Sequence, residues 1–457
     1  MEMKKYKLSE ICRIASSKRI FESEYVERGV PFIRGQEISD GSILDPKPSF
    51  ECYISQSRYE EIKEKYGKPN KGDILITAVG TIGNLCYLDK DIDFYFKDGN
   101  VIWFSEIISS CDGKFLFHFM KSSYFKEQLK YFMIGAVQKA LTIDMLKKVE
   151  VPLPPLPTQQ KIAAVLSSLD DKIALNKKIN TKLEAMAKRL YDYWFVQFDY
   201  PDKNGKPFKT SGCKMVWNEV LKREIPEGWE VVEMSSVIKQ INTGLNPRDN
   251  FILGNGKIKY ITVKNLTEEG HIDFSNCDLV NSESQKIIHE RSQIQKGDIL
   301  FASICPLGRC YLIQDSPEDW DINESVFSIR PNIDRITSEF LYTLLREAYY
   351  VKKMTQKATG SIFKGIRIND IEKIEIVLPP KEVINAFSKK TLPIFNYQLT
   401  IQKEIQKLTN LRDRLLPLLI NGQVEVGTNN SSEFSHSGNS VSSPWANDME
   451  GQVKVEE

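Results

Sequence analysis

Several common signatures are missing from this chain. Its 457 residues contain no CxxC pair and only four histidines, which removes the usual ligand spacings of zinc modules. Eight widely scattered cysteines argue for reduced, structural thiols rather than a disulfide framework. No run of eighteen apolar residues occurs, and Met1-Glu2-Met3-Lys4-Lys5-Tyr6 lacks a basic-then-apolar leader. Neither a membrane span nor secretion is expected, and the expected compartment is the cytoplasm. With 62 Lys and Arg against 61 Asp and Glu, a net charge of +1 excludes a protein that coats phosphate over its whole surface. Any nucleic-acid site must be local. There is no GxxxxGK[ST] loop, no glycine-rich cofactor turn after a strand and no Asn/Asp-Pro-Pro-aromatic loop, so ATP hydrolysis and methyl transfer have no visible seat.

What is present is a repeat. Lys71-Gly72-Asp73-Ile74-Leu75 recurs as Lys296-Gly297-Asp298-Ile299-Leu300, an offset of 225 residues. The same offset carries Gly83 onto Gly308, Phe115-Leu116 onto Phe340-Leu341, and Leu153-Pro154-Pro155 onto Leu378-Pro379-Pro380. One such match is only a turn entering a strand, whereas several at one spacing imply a duplicated unit.

Each copy reads as a globular part followed by a long helix. The globular parts, 1–155 and 226–380, mix short β-branched and aromatic strands (73–79 and 100–104; 298–304 and 325–329) with one helix (115–132; 340–354), an α+β pattern. From Thr158 to Trp194 apolar residues fall at Ile162, Leu166, Leu169, Ile173, Ile179, Leu183, Met186 and Leu190, the spacing of a coiled-coil seam. Asn176 interrupts it, either as a buried register-setting residue or as a solvated kink. The second helix starts close after Thr391-Leu392-Pro393, is anchored by Ile394, Ile401, Ile405, Leu408, Leu415 and Leu419, kinks at Pro417 and stops at Asn421-Gly422. Helices of some 37 residues extend about 55 Å, too far for one small domain to bury, and pack most simply on each other as an antiparallel pair. The expected organisation is 1–155 globular, 156–198 helix, 199–225 linker, 226–380 globular, 381–422 helix and 423–457 a disordered, Ser/Asn/Gly-rich tail of net charge −5.

The chemistry that remains is binding. Residues 121–148 and 346–373 each carry +4, and each places aromatics among Lys and Arg before a Gly-bearing polar loop. Such faces suit phosphate anchoring and base-edge reading, while the aromatics are expected to be core. Gly80-Thr81-Ile82-Gly83 is either a tight hairpin turn or a backbone cradle for phosphate, and the hairpin is favoured.

These features together resemble a type I restriction-modification specificity subunit. The resemblance is carried by Lys71 to Gly83 and Lys296 to Gly308, by Val149 to Ile162 with its Leu-Pro-Pro-Leu-Pro-Thr-Gln-Gln-Lys run, by Leu190-Tyr191-Asp192-Tyr193-Trp194-Phe195, and by Leu411 to Gly422. It covers residues 1 to about 422. It implies an α+β chain with a pseudo-two-fold repeat: two target-recognition domains joined by two long antiparallel coiled-coil helices. It implies no catalytic residue, no metal site and no cofactor in this chain. Each domain is expected to read one half of an interrupted site in double-stranded DNA, and the helices to dock two methyltransferase (modification) subunits. S-adenosylmethionine would sit on those partners, and ATP and Mg on restriction/translocase subunits. The residues assigned to DNA are Thr81, Asn84, Gln138, Lys139 and Thr142 in the first copy and Ser303, Arg309, Lys357, Lys364 and Arg367 in the second. Those assigned to protein partners are Lys161, Asn176, Arg189, Tyr193, Trp194, Arg412 and Arg414. One departure stands out: Val377-Leu378-Pro379-Pro380-Lys381 lacks the Thr-Gln-Gln-Lys that follows the first copy's motif, so the second helix is expected to dock its partner less symmetrically.

Two other classes compete. A protein-binding scaffold of two α+β domains would not bind duplex DNA in a salt-dependent way, and a methyltransferase with unusual motifs would bind S-adenosylmethionine unaided.

Overall fold

The computed structural model describes residues 3–39, 41–44, 50–133, 140–360 and 364–424. The chain divides into two units, Met1–Ser168 with Arg412–Glu457, and Leu169–Leu411. The tail expected to be disordered lies, from residue 425 on, outside the described residues.

In the first unit the apolar strand Ile74–Thr77 sits inside an antiparallel sheet, between Val101–Ser105 and Leu85–Tyr87, with Arg13–Ser16 on the outer edge. A second sheet holds Tyr25–Val26, Tyr53–Ile54, Val30–Ile33 and Tyr95–Phe96, the last two parallel. The second unit repeats this plan. Ile299–Ala302 lies between Val326–Pro331 and Cys310–Leu312, with Ile238–Thr243 at the edge, and Ile258–Ile261 runs parallel to Trp320–Ile322 in the smaller sheet.

The aspartate of the repeated Lys-Gly-Asp-Ile-Leu motif explains the recurrence. Asp73 is buried and accepts the backbone N–H of Asn70 at 2.8 Å and the indole N–H of Trp103 at 2.8 Å. Burial pushes its pKa up, against the two hydrogen bonds that favour the carboxylate. Asp298 repeats the turn bond, from Gln295 N–H at 3.1 Å, but meets Ser328 Oγ and the Arg330 guanidinium (2.8 Å) in place of the indole. The motif therefore pins the turn that starts the central strand, a role open only to a short acceptor at that position.

The single helix expected over 115–132 is two, Gly113–Lys121 and Ser123–Met133. Ser122 breaks it by donating its hydroxyl to Phe119 O and accepting Phe125 N–H, the local bonding that favours serine at helix ends. The second copy also splits, into Ser338–Leu345 and Ala348–Lys357, where the Glu347 side chain caps the new start. Residues 199–225, expected as a linker, fold as well. Met215–Asn218 and Arg223–Pro226 form a hairpin, and Tyr200, Ile225 and Trp229 join the aromatic core of the second unit.

The first long helix spans Leu156–Tyr191 and continues into a π-helical turn, Asp192–Val196. The second spans Lys381–Ile420, so it begins well before Pro393 and runs through it and Pro417. An interior proline costs about 3 kcal/mol, but burying a side chain such as Ile384, Phe387 or Phe395 returns roughly 1.5–3 kcal/mol each, which decides the outcome. Within the second unit the helices run antiparallel: Lys172 pairs with Glu404 at 3.7 Å, and Tyr191 packs edge-on to Phe387. In the first unit Ile162 and Leu166 share a core with Leu416, Leu419 and Ile420.

The seam differs from the expected one. Past Ile173 it passes through Asn176, Asn180, Ala187 and Tyr191, all buried, while Met186 is 55% exposed. The heptad therefore does not slip at Asn176; it stays in phase by accepting polar residues. Asn176 is 2% exposed, which excludes the solvated kink.

Candidate nucleic-acid interface

Two loops meet at one end of the larger sheet in each unit. In the first, Thr77 organises the hairpin: its hydroxyl donates to Thr81 O and accepts Asn84 N–H at 3.0 Å, and its carbonyl accepts Gly83 N–H. Gly80 and Gly83 hold positive φ, 75° and 90°, within the connection that joins the antiparallel strands Ile74–Thr77 and Leu85–Tyr87. The loop after the second short helix then returns, and Leu141 N–H donates to Ala78 O at 2.9 Å. In the second unit the same bond joins the residues 225 further on: Ile366 N–H donates to Ser303 O at 2.8 Å. There it is extended, since Ile304 bridges Gly365, Thr359 bridges Gly365, and Cys305 N–H donates to Lys364 O at 2.8 Å. Backbone bonds thus lock two sequence-distant loops into one platform in both copies.

The platform carries several residues assigned to DNA. Thr81, Thr142, Lys357, Lys364 and Arg367 are exposed and Asn84 is half-buried. Gln138 and Lys139 lie outside the described residues, as do Ser361 to Phe363. Some assigned side chains have internal duties. Thr142 accepts Met145 N–H and so caps the helix Ile143–Lys147. Ser303 is buried and donates its hydroxyl to Ser325 O at 2.7 Å, which leaves it poorly placed to read a base. Arg309 pairs with Glu268 at 3.2 Å. Arg367 occupies the position matching Thr142 but makes no side-chain cap bond.

The two cationic stretches are only partly outward. Lys126, Lys130, Lys352, Lys357, Lys364 and Arg367 are exposed, but Arg346 is interior and bonds Glu184, Tyr342 Oη (2.7 Å) and Glu268 O (2.7 Å). Among the aromatics Phe125 and Tyr350 are core, while Tyr131 stands 73% exposed and Tyr349 lies beneath the cations of Arg223 and Lys353.

Of the residues assigned to protein partners, Lys161, Arg189, Tyr193 and Arg414 are exposed on the helices or the π-helical turn. Arg412 is half-buried against Asp413 at 2.7 Å. Trp194 is buried among Phe195 and Phe387, so its ring is core and not contact surface. The Thr-Gln-Gln-Lys departure also finds a structural reason. Gln159 is buried, accepts Asp112 N–H and donates to Ser110 O and Pro154 O, whereas the matching position is Ile384 in an apolar core. The sequence motifs contain Asp73 and Gln159 without revealing their buried roles, and nothing in the sequence points to the polar cluster around His271. Recurrence marks Asp73 and absence from the second copy marks Gln159, but no local pattern marks His271.

A duplicated α+β reader on long antiparallel helices, with paired loop platforms, defines a class of DNA specificity chain. The chain matches the type I restriction modification DNA specificity domain twice, over residues 1–185 and 226–411, and belongs to that family. It is 30% identical over 413 residues to the type I restriction enzyme MjaIX specificity subunit of Methanocaldococcus jannaschii, covering 88% of each chain. It is 27% identical over 449 residues to the HindI specificity subunit of Haemophilus influenzae, covering 85% of this chain and 94% of that one. The crystal structure of the type I restriction-modification system S subunit from M. genitalium superposes with a TM-score of 0.54 at 15% identity, covering 92% and 96%, a likeness of fold. No described helix is long and apolar enough to cross a membrane.

Proposed function

We propose that residues 1–155 and 226–380 are two independent readers, each recognising one half of an asymmetric, interrupted site in duplex DNA. The helices 156–198 and 381–422 space them and dock two modification subunits. The observation that carries this reading is the repeated platform: the same backbone bond, Leu141 to Ala78 and Ile366 to Ser303, supports loops of unlike sequence. A rigid frame with variable loops gives two specificities from one fold. Lys357, Lys364 and Arg367 supply phosphate or base contacts in the second reader, and Thr81 and Asn84 in the first. The modification subunits bring S-adenosylmethionine, and restriction subunits bring ATP and Mg. Methylated sites sequenced from cells with and without this chain, modification subunits present in both, test the reading. A bipartite motif that depends on the chain is expected; methylation indifferent to the chain contradicts it.

A further inference from the structure

Between Leu266 and Ile272, which bridge each other, the second reader projects the turn Thr267–His271 against both long helices of its own unit. Thr267 and His271 close the turn through Thr267 N–H to His271 O (2.9 Å) and His271 N–H to Thr267 Oγ1 (3.2 Å). The His271 ring then spans the seam. Nε2 meets the Asn180 amide of the first long helix at 3.3 Å, and Nδ1 meets the Gln402 amide of the second. Gln398, also buried, donates to Asn180 O, so Asn180 and Gln398 hold seam positions that an ordinary helix pair fills with leucine, with Gln402 half-buried beside them.

The ring chemistry fixes how the clasp is made. A neutral imidazole has one N–H and one lone pair, so the two amides must face it with opposite ends. Asn180 Oδ1 is buried without a partner among the described residues, and a half-turn of that amide sets its oxygen on Nε2–H while Gln402 donates to Nδ1. Two further contacts seat the turn. Arg346 donates to Glu268 O, and Gly270, at φ 79°, lies where an added Cβ would stand 2.1 Å from Tyr342 Oη.

We propose that this turn is a strut that sets the angle of the second reader on its helices, making His271 a positioning residue for the gap between half-sites. The claim rests on the bipartite reading above. The reader's other mount is the aromatic core at Tyr191 and Phe387, eleven residues from Asn180 along the first helix, or about 16 Å. One mount permits a pivot and two remove it. A slip of about 3 Å at the strut would tilt the reader by roughly 10° over that span, enough to move its loops by the order of one base-pair rise, about 3.4 Å.

The test sequences methylated sites from cells carrying the modification subunits with the parent chain or with His271→Ala, His271→Gln or Gly270→Ala. The parent is expected to give one gap length. His271→Ala and Gly270→Ala should keep both half-site sequences but methylate sites one base pair longer or shorter at a tenth or more of the parent frequency, with His271→Gln between. If His271→Ala melts far below the parent, the other two variants carry the same expectation. One unchanged gap in every variant overturns the proposal, as does loss of all methylation by a variant that melts like the parent, which would make the strut an assembly element. No bipartite motif from the parent itself defeats the underlying reading, and the strut with it.

Discussion

The two readers share backbone hydrogen bonds to a degree that their side chains do not. Asp73 and Asp298 close the same turn, yet one is answered by an indole N–H and the other by a guanidinium. Thr142 caps its short helix, while Arg367 at the matching position projects without a cap bond. Gln159 bonds Asp112, Ser110 and Pro154, while Ile384 at the matching position lies in an apolar core. The scaffold is therefore specified by a few backbone-satisfying residues, and everything around them is open to divergence.

That comparison can be broken most forcefully at the aspartates. Asp298→Ala leaves Arg330, whose side chain is 17% exposed, without its buried anion, a loss of about 3–5 kcal/mol. Asp73→Ala removes acceptors from two neutral donors and should cost about 1–3 kcal/mol. Urea unfolding of the two variants measures both, and equal losses would mean that the turn, and not its partner, carries the energy.

Along the seam the sign reverses. Asn176 is buried with an amide nitrogen that has no partner among the described residues, so Asn176→Leu should raise stability by about 1–2 kcal/mol while weakening the register that polar seam residues set. Thermal melting reads the first effect, and a destabilised variant would place that amide in an unseen network.

At the platforms, Thr142→Ala should cost about 1 kcal/mol through loss of the cap and leave the DNA sequence read unchanged. Arg367→Ala should leave stability alone and reduce the salt dependence of DNA binding, by about one unit of slope if it meets a phosphate. Binding isotherms at several salt concentrations separate the two.

The smallest effect is one of pH. Burial first, with the Arg346 charge adding to it and the Glu269 carboxylate opposing, holds the His271 pKa below its ordinary value. The unfolded chain therefore takes up a proton before the folded one does. Stability from this site is full above about pH 6.5 and falls as the pH drops below it. The melting temperature of the parent should decline between pH 7.5 and 5.5 by more than that of His271→Gln, and parallel curves would contradict the buried neutral imidazole.

Much of this architecture was legible in the sequence because duplication supplies its own control. Landmarks at one offset marked both central strands, and apolar spacing marked both long helices, the second with too late a start. The seam phase was not legible. Large apolar side chains mark a seam only when the core takes them, and here Met186 faces outward while Ala187, Asn180 and Asn176 face in. The helix breaks at Ser122 and Glu347 rest on side-chain caps inside otherwise helical patterns. Trp194 is assigned to a partner through the family resemblance, yet its ring fills a core. At the platform, exposure could be anticipated for Lys364 and Arg367, but the tether on Ser303 depends on a strand distant in sequence.

The central claim is that the readers are independent. It is tested most directly by exchanging residues 1–150 for the equivalent segment of a relative with a different target, then sequencing the methylated sites. One half of the motif should change to that of the donor while the other half stays as it was. A change in both halves, or in neither, would contradict two separate readers on a common frame.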